Sequence, residues 1–382
     1  MIYFDNSATT QIEPSVLDTY MRTSQRIFGN PSSLHLVGGQ AYRLLEQSRK
    51  QVASLLNVSV NEIFFTSGGT EGDNWVIKGT AIEKAPFGKE IILSAIEHPA
   101  VSESAKQLER LGFVVKFLPV DNRGFVKVEA LKNLITSQTI LVSVMAINNE
   151  IGTIQPIQAI SEVLEAFPKI HFHVDAVQAI GKIPITSWLT PRVDFAVFSA
   201  HKFHGPKGVG IVYSKEGKKL APLLNGGGQE RGLRNGTENV PGIVATAKAL
   251  RMLQEDQAKK NAHQRNIKQF LLDSLRKFEK VTVFSEACEQ KYAPHILCFS
   301  LKGVRGEVLV HAFEKKEVFI STTSACSSKK GLTPGTLQAM AVSPSIATGA
   351  VRLSLCEKNT MVEAEQFMII FQQLYQKFSK IN

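Results

Sequence analysis

Asp194-Phe195-Ala196-Val197-Phe198-Ser199-Ala200-His201-Lys202-Phe203-His204-Gly205-Pro206-Lys207-Gly208-Val209-Gly210 decides how this chain is read. Residues 194–198 are an apolar run with aromatic and β-branched side chains, the composition of a strand buried on both faces. The run leads straight into Ser199, His201 and Lys202, then into a turn rich in glycine and proline. A strand that ends by delivering a hydroxyl, an imidazole and an ammonium group marks a candidate site at its carboxyl end. Lys202 has two readings. It is a solvated surface lysine, or it is held in a pocket where burial lowers its pKa and its amine forms a Schiff base.

Outward from this stretch, strand and helix patterns alternate. Strands are predicted at 63–65, 90–95, 113–119, 140–146, 170–174 and 193–198, with another at 209–213. Between them, helices are predicted at 70–84, 99–111, 128–135 and 156–167. This alternation, with continuous apolar strands, is the pattern of a mainly parallel sheet covered by helices on both faces. Ahead of it lie a short strand, a polar turn at 5–10, a helix opened by Pro14, and a helix whose apolar face is Ala41, Leu44, Leu45, Val52, Leu55 and Leu56. From about 239 one long helical stretch is predicted to run to about 278 and to join a second lobe. That lobe has strands near 281–284 and 295–301, a helix at 307–315 and a closing helix from 361. The expected division is a large α/β domain over 15–255, with 1–14 and 256–382 making a smaller α+β domain.

The totals set bounds. At 382 residues, with 43% hydrophobic and 20% charged residues, the chain has the composition of an ordinary globular protein large enough for two lobes. No apolar run reaches the roughly 18 residues a membrane helix needs, and the first residues carry no basic segment before an apolar one. No membrane contact and a cytoplasmic location are expected. The four cysteines, Cys288, Cys298, Cys326 and Cys356, form no C-x-x-C pair, so neither a metal site nor a disulfide framework is expected. A net charge of +10 suits acidic partners, but the charges are scattered, and direct nucleic-acid binding is not expected.

In sheets of this kind ligands sit beyond the carboxyl ends of the strands, and the informative residues lie there in succession. Phe65-Thr66-Ser67-Gly68-Gly69-Thr70 is a strand, a glycine turn and a helix start, whose open N–H groups suit a phosphate. The same turn also reads as a simple helix cap. His98 follows the next strand and can stack on a flat ring or move protons; a solvated loop histidine is the plain alternative. Asn148-Asn149-Glu150 supplies amides able to donate to a ring oxygen, or forms a simple turn. Asp175 ends a hydrophobic strand, where a carboxylate is costly unless something positive meets it. A protonated pyridine nitrogen does so, and Gln178 follows within reach of the same ring. A phosphate cup, an acid for a pyridinium, a stacking imidazole and an imine-forming lysine together describe pyridoxal 5′-phosphate.

With these residues in view, the chain resembles the cysteine desulfurases, in the class V branch of the aminotransferase fold. The matching blocks run from the turn at 5–10 to Val351-Arg352-Leu353-Ser354-Leu355. They include residues 65–71, Glu97-His98, 148–152, 173–178, 199–202, 226–237 and Ser324-Ala325-Cys326. The last of these separates desulfurases from the wider branch. The resemblance implies fold type I of the pyridoxal-phosphate transferases, with a mainly parallel seven-stranded sheet. It also implies roles. Lys202 forms the imine with the cofactor, Asp175 pairs with the ring nitrogen and His98 stacks on the ring. Asn149 and Gln178 approach the ring hydroxyl. Gly69, Thr70, Ser199 and His201 hold the phosphate, with Thr237 reaching in from the second subunit of a homodimer. Arg352 clamps the carboxylate of L-cysteine with two hydrogen bonds, assisted by Asn149.

Cys326 then takes the sulfur as a persulfide. It lies in a run of small polar residues that reads as an exposed loop, flanked by Lys329 and Lys330, which favour a thiolate or simply solubilise the loop. The 26 positions from Cys326 to Arg352 resemble the long-loop subgroup, whose cysteine hands sulfur directly to an acceptor protein. That acceptor is expected to be an iron–sulfur scaffold or a tRNA-thiolation enzyme. The alternatives are another class V reaction, such as a selenocysteine lyase or an aminotransferase, and a catalytically idle sulfur-transfer scaffold. Cys298 is expected in the core.

Overall fold

A short strand β1 (Ile2–Tyr3) leads to helices α1 (Pro14–Arg26) and α2 (Leu36–Leu56). The alternating stretch follows as β2 (Ile63–Thr66), α3 (Gly69–Lys84), β3 (Glu90–Ser94), α4 (Pro99–Glu109), β4 (Val114–Leu118), α5 (Val128–Leu134), β5 (Thr139–Ser143), α6 (Ile157–Glu165), β6 (His171–Asp175), β7 (Phe195–Ser199) and β8 (Gly210–Ser214). Beyond it are α7 (Val240–Gln254), α8 (Gln257–Leu275), β9 (Val281–Val283), β10 (Ile296–Leu301), α9 (Gly306–Glu314), β11 (Val318–Phe319), β12 (Ser321–Thr322), α10 (Thr336–Ala339), α11 (Pro344–Ala347), β13 (Ala350–Ser354) and α12 (Met361–Ser379). The structure is a computed structural model and describes residues 1–323 and 335–379. Among the described residues no helix is long and apolar enough to cross a membrane.

Strands β2 to β8 form one seven-stranded sheet in the order β2-β8-β7-β6-β5-β3-β4. β8 runs antiparallel to both β2 and β7, and the remaining neighbours pair in parallel. Every residue of β5, β6 and β7 is buried, which is why these strands read as continuous apolar runs. The polar exceptions are ordered. In β6, Phe172 and Val174 enter the main core, while His171, His173 and Asp175 alternate onto the opposite face. α3 covers that face. Its Thr80 Oγ1 lies 3.1 Å from His171 Nδ1, and its Asp73 Oδ1 lies 3.4 Å from His173 Nε2.

The single long helix expected over 239–278 is two helices. Glu255 is extended, and Asp256 sits in the left-handed region at φ 52°. The break lets α7 pack on α1 and α2 in the main core while α8 packs on α12 in a second one. One straight helix could not serve both.

The second core gathers Phe4, Leu271, Phe299, Phe313, Phe367 and Phe371. The Phe313 and Phe367 rings stack at 4.8 Å. It backs a four-stranded antiparallel sheet in the order β12-β13-β10-β9, and β1 pairs in parallel with β11. The short strands β11, β12 and β13 lie outside the elements predicted from sequence. β10 and β13 alternate between the two cores. Leu297, Phe299, Val351 and Leu353 face the second, whereas Ile296, Cys298 and Ala350 face the first. That period of two carries Arg352 toward the large sheet. It sits within β13, 7% exposed.

Candidate active site

The carboxyl ends of β6 and β7, the start of α3, the start of α4 and the strand pair β12-β13 converge on a cavity of about 780 Å³. Its walls hold Gly69, Thr70, His98, Asn149, Asp175, Gln178, Ser199, His201, Lys202 and Arg352. Ten of the residues singled out from sequence thus meet in one place. Thr237 does not. It is exposed and lies outside this lining. Cys326, Lys329 and Lys330 lie outside the described residues, but both ends of their segment are at the cavity: Ser321, Thr322 and Thr323 on one side, Gly335 and Thr336 on the other.

Lys202 follows β7 by one tight turn. Its ammonium donates to the Ser7 and Ala8 carbonyls at 2.5 and 2.9 Å. The turn at 5–10 is thereby fastened over it, as it also is through Thr10, whose backbone N–H and hydroxyl both donate to the His201 carbonyl. Asp175, the last residue of β6, accepts from the Val177 N–H at 2.9 Å. Burial, and then the nearby Asp73 carboxylate, push its carboxyl up to about 7. A cation facing it would relieve that cost.

His98 caps α4, its Nδ1 accepting from the Ala100 N–H at 3.1 Å. Burial, reinforced by the Lys202 charge, lowers its pKa to about 4. The ring is therefore neutral at physiological pH, with its proton on Nε2. Ala200 is buried at the start of the turn, and His201 is held by Thr9 Oγ1 at 3.1 Å. Gln178 donates to the Ser7 carbonyl and faces His295 Nε2 at 3.2 Å.

At the opening of α3, Gly68 provides no side-chain cap, so the first amides of the helix face the cavity unclaimed by a cap. A Cβ on Gly69 would meet Val177 Cγ2 at 3.0 Å, so glycine keeps this cradle open. On the far wall Arg352 donates to the Asn149 carbonyl at 2.8 Å and to Asp5 Oδ1 at 3.0 Å, and its buried Nε has no hydrogen-bond partner.

One residue of the site, Asp73, went unnoticed in the sequence, and Glu97 and Glu150 were quoted within motifs without a role of their own. Asp73 and Glu97 are buried carboxylates in the cavity wall, and burial pushes both well above the usual carboxylate range. Glu97 is fixed by the Ser94 hydroxyl and the Met145 N–H. Glu150 is pushed up to about 7 by loss of water, with Arg352 acting the other way. Asn148, not Asn149, holds its turn: its Oδ1 accepts from the Glu150 and Ile151 N–H groups, and its Nδ2 donates to Thr336 Oγ1. Asp73 gave no signal because a charge on a helix usually marks a solvated face.

An anion cradle, a buried carboxyl awaiting a cation, a lysine and an unsatisfied arginine edge fit pyridoxal phosphate carrying an amino-acid substrate. Residues 2–367 match the family described as aminotransferase class-V, and the chain belongs to that family. Within it, the chain belongs to the cysteine desulfurases of the NifS/IscS kind. It is 54% identical over 382 residues to a "NifS/IcsS protein homolog" of Lactobacillus delbrueckii subsp. bulgaricus, covering 100% of this chain and 99% of that one. It is 43% identical over 360 residues to "Cysteine desulfurase IscS" of Clostridium botulinum, covering 94% and 90%. A solved structure described as a NifS-like protein superimposes with a TM-score of 0.91 at 41% identity, over 99% of each chain. Cys298, expected in the core, is fully buried there.

Proposed function

We propose that this enzyme uses pyridoxal phosphate to convert L-cysteine into L-alanine and carries the released sulfur as a persulfide on Cys326. One observation carries the reading: Asp175 and Lys202 share a cavity with Arg352 and with both ends of the segment bearing Cys326. Cys326 is three residues beyond Thr323, a length of chain that spans at most about 11 Å. That length of chain permits its thiol to meet a substrate held in the cavity.

When bound, the cofactor supplies an electron-withdrawing ring that accommodates negative charge at the substrate Cα. The chain's own residues do the rest. Gly69, Thr70, Ser199 and His201, with the open amides of α3, would hold its phosphate. Asp175 would be kept ionised by a positive ring nitrogen facing it. Arg352 orients the substrate carboxylate. Lys202 would take the substrate's Cα proton, and His98, neutral with its proton on Nε2, would pass that proton to the three-carbon fragment as the C–S bond breaks. Cys326, as thiolate, attacks the substrate sulfur; an S–S bond forms, the C–S bond breaks, and its electron pair stays with the three-carbon fragment. Protonation of that fragment completes alanine. A positioned acid or base contributes about 10²–10⁴-fold.

Two lobes, 15–255 against 1–14 with 256–382, frame this cleft in our reading, in a homodimer. The exposed Thr237 and the exposed apolar Phe28, Leu34 and Leu36 are surface that a second subunit would cover. The acceptor is an iron–sulfur scaffold or a tRNA-thiolating enzyme, and tracing radiolabelled cysteine sulfur into protein or RNA separates them.

Cys326→Ala tests the central step. It should keep the absorbance of the bound cofactor while alanine and persulfide formation cease. Alanine released at the normal rate by that variant removes Cys326 from the mechanism, and a keto-acid product points to an aminotransferase instead.

A further inference from the structure

We propose that His204, Cys356 and Glu357 form a site for one divalent metal ion of the zinc class, tying the turn that carries Lys202 to the strand that carries Arg352. His204 lies two residues beyond Lys202, and Cys356 lies four beyond Arg352. One donor atom from each of the three side chains lies within 4.8 Å of the others, and His204 Nε2 stands 3.2 Å from Glu357 Oε1. Metal–ligand bonds of about 2.0–2.3 Å in a tetrahedron set donors roughly 3.3–3.8 Å apart. Little rearrangement is needed.

Three further features favour a metal over a bare ion pair. The His204 Nδ1 lies 2.8 Å from the Gln11 carbonyl, which can only accept, so Nδ1 carries the proton and Nε2 is the nitrogen turned to the cluster. Metal-bound histidines typically make this outer hydrogen bond. Beside His204 and Cys356 lies a cavity of about 10 Å³, also lined by Lys182 and His295, with room for about one water as fourth ligand. His204 is moreover a non-glycine residue at φ 62°, a strained conformation that the packing around it maintains. Nitrogen, sulfur and oxygen donors with one open position match the ligand count of an open zinc site. Glu357 is partly exposed and gives the ion a way in. On binding, the metal displaces the proton of the Cys356 thiol and the Nε2 proton that a charged His204 shares with Glu357, and both pass to solvent.

This inference stands independently of the desulfurase reading. The cofactor-loaded protein is stripped with a chelator, given zinc, and gel-filtered; about one zinc per chain should be retained, and thermal stability should rise with it. Cobalt in place of zinc should give long-wavelength absorption and a thiolate-to-metal band. Cys356→Ser should abolish that band, Glu357→Gln should weaken binding, and Cys326→Ser and Cys288→Ser should leave the band intact. A wild-type protein that retains no zinc, or a band lost in Cys326→Ser and kept in Cys356→Ser, overturns the proposal.

Discussion

Arg352 Nη2 donates to Asp5 Oδ1 across 3.0 Å, joining the middle of β13 to the turn that fastens Lys202. Its Nη1 is held by the Asn149 carbonyl, so the guanidinium is fixed on two sides and presents its remaining edge to the cavity. A fork held this way meets a carboxylate with two hydrogen bonds. Asp5 then acts through Arg352 and not on the substrate.

Asp5→Asn should therefore raise KM for cysteine while changing kcat little. A hydrogen bond to a charged group contributes roughly 1.5–3 kcal/mol, so a rise of about tenfold or more is expected. A variant that loses kcat at unchanged KM shows that Asp5 serves another step.

This link was illegible in the sequence, since 347 positions separate its ends and only the pairing of short strands brings them together. Asp175, Lys202 and His98 were legible because each stands at the end of an apolar strand, where a polar group needs a reason. The break at Asp256 was not. No glycine or proline marks it, and a run rich in Lys, Gln and Glu carries helix propensity straight through. Arg352 became a site residue only by resemblance, because a five-residue strand interrupted by a charge carries too short an alternation to show.

Arg49 and Glu230 form a two-pronged buried pair, both bonds at 2.8 Å, and Glu230 also accepts the Phe65 N–H. It pins α2 and the residues around 230 to the first strand of the sheet. Removing one partner leaves the other charge buried, so Arg49→Met or Glu230→Gln should destabilise by roughly 3–5 kcal/mol. The double replacement Arg49→Met with Glu230→Leu should recover part of that loss. Chemical denaturation measures both, and additive losses would show that the two side chains act separately.

The glycine cradle at α3 yields a test of cofactor binding apart from turnover. Gly69→Ala puts a methyl group 3.0 Å from Val177 Cγ2 and 3.6 Å from Ser199 Cβ, in the space left for the phosphate. Cofactor affinity measured by equilibrium dialysis should fall about tenfold or more, a loss of about 1.4 kcal/mol. Unchanged affinity would place the phosphate elsewhere.

His98 links the site to pH. Its folded pKa of about 4 lies below the ordinary 6.5 because burial, with Lys202 beside it, disfavours the charged ring. The unfolded chain binds the extra proton between those values, so the contribution of His98 to stability is full above about 6.5 and is lost as pH falls toward 4. The shift corresponds to on the order of 3 kcal/mol. His173 and His201, also lowered to about 4 mainly by burial, act in the same direction. Asp175 and Glu150, pushed up to about 7, oppose them: their contribution is full below the ordinary carboxylate range and lost as pH rises to 7. The wild-type profile mixes these signs, but the difference between wild type and His98→Gln isolates one group. Denaturation of the cofactor-free proteins should show that difference growing in favour of wild type from pH 4 to 6.5. Nitrogen NMR should find His98 half protonated near pH 4 and neutral, with its proton on Nε2, by the upper end of that range. A ring that titrates near 6.5 means that water reaches it freely, and that His98 is not the dry, neutral proton donor this site requires.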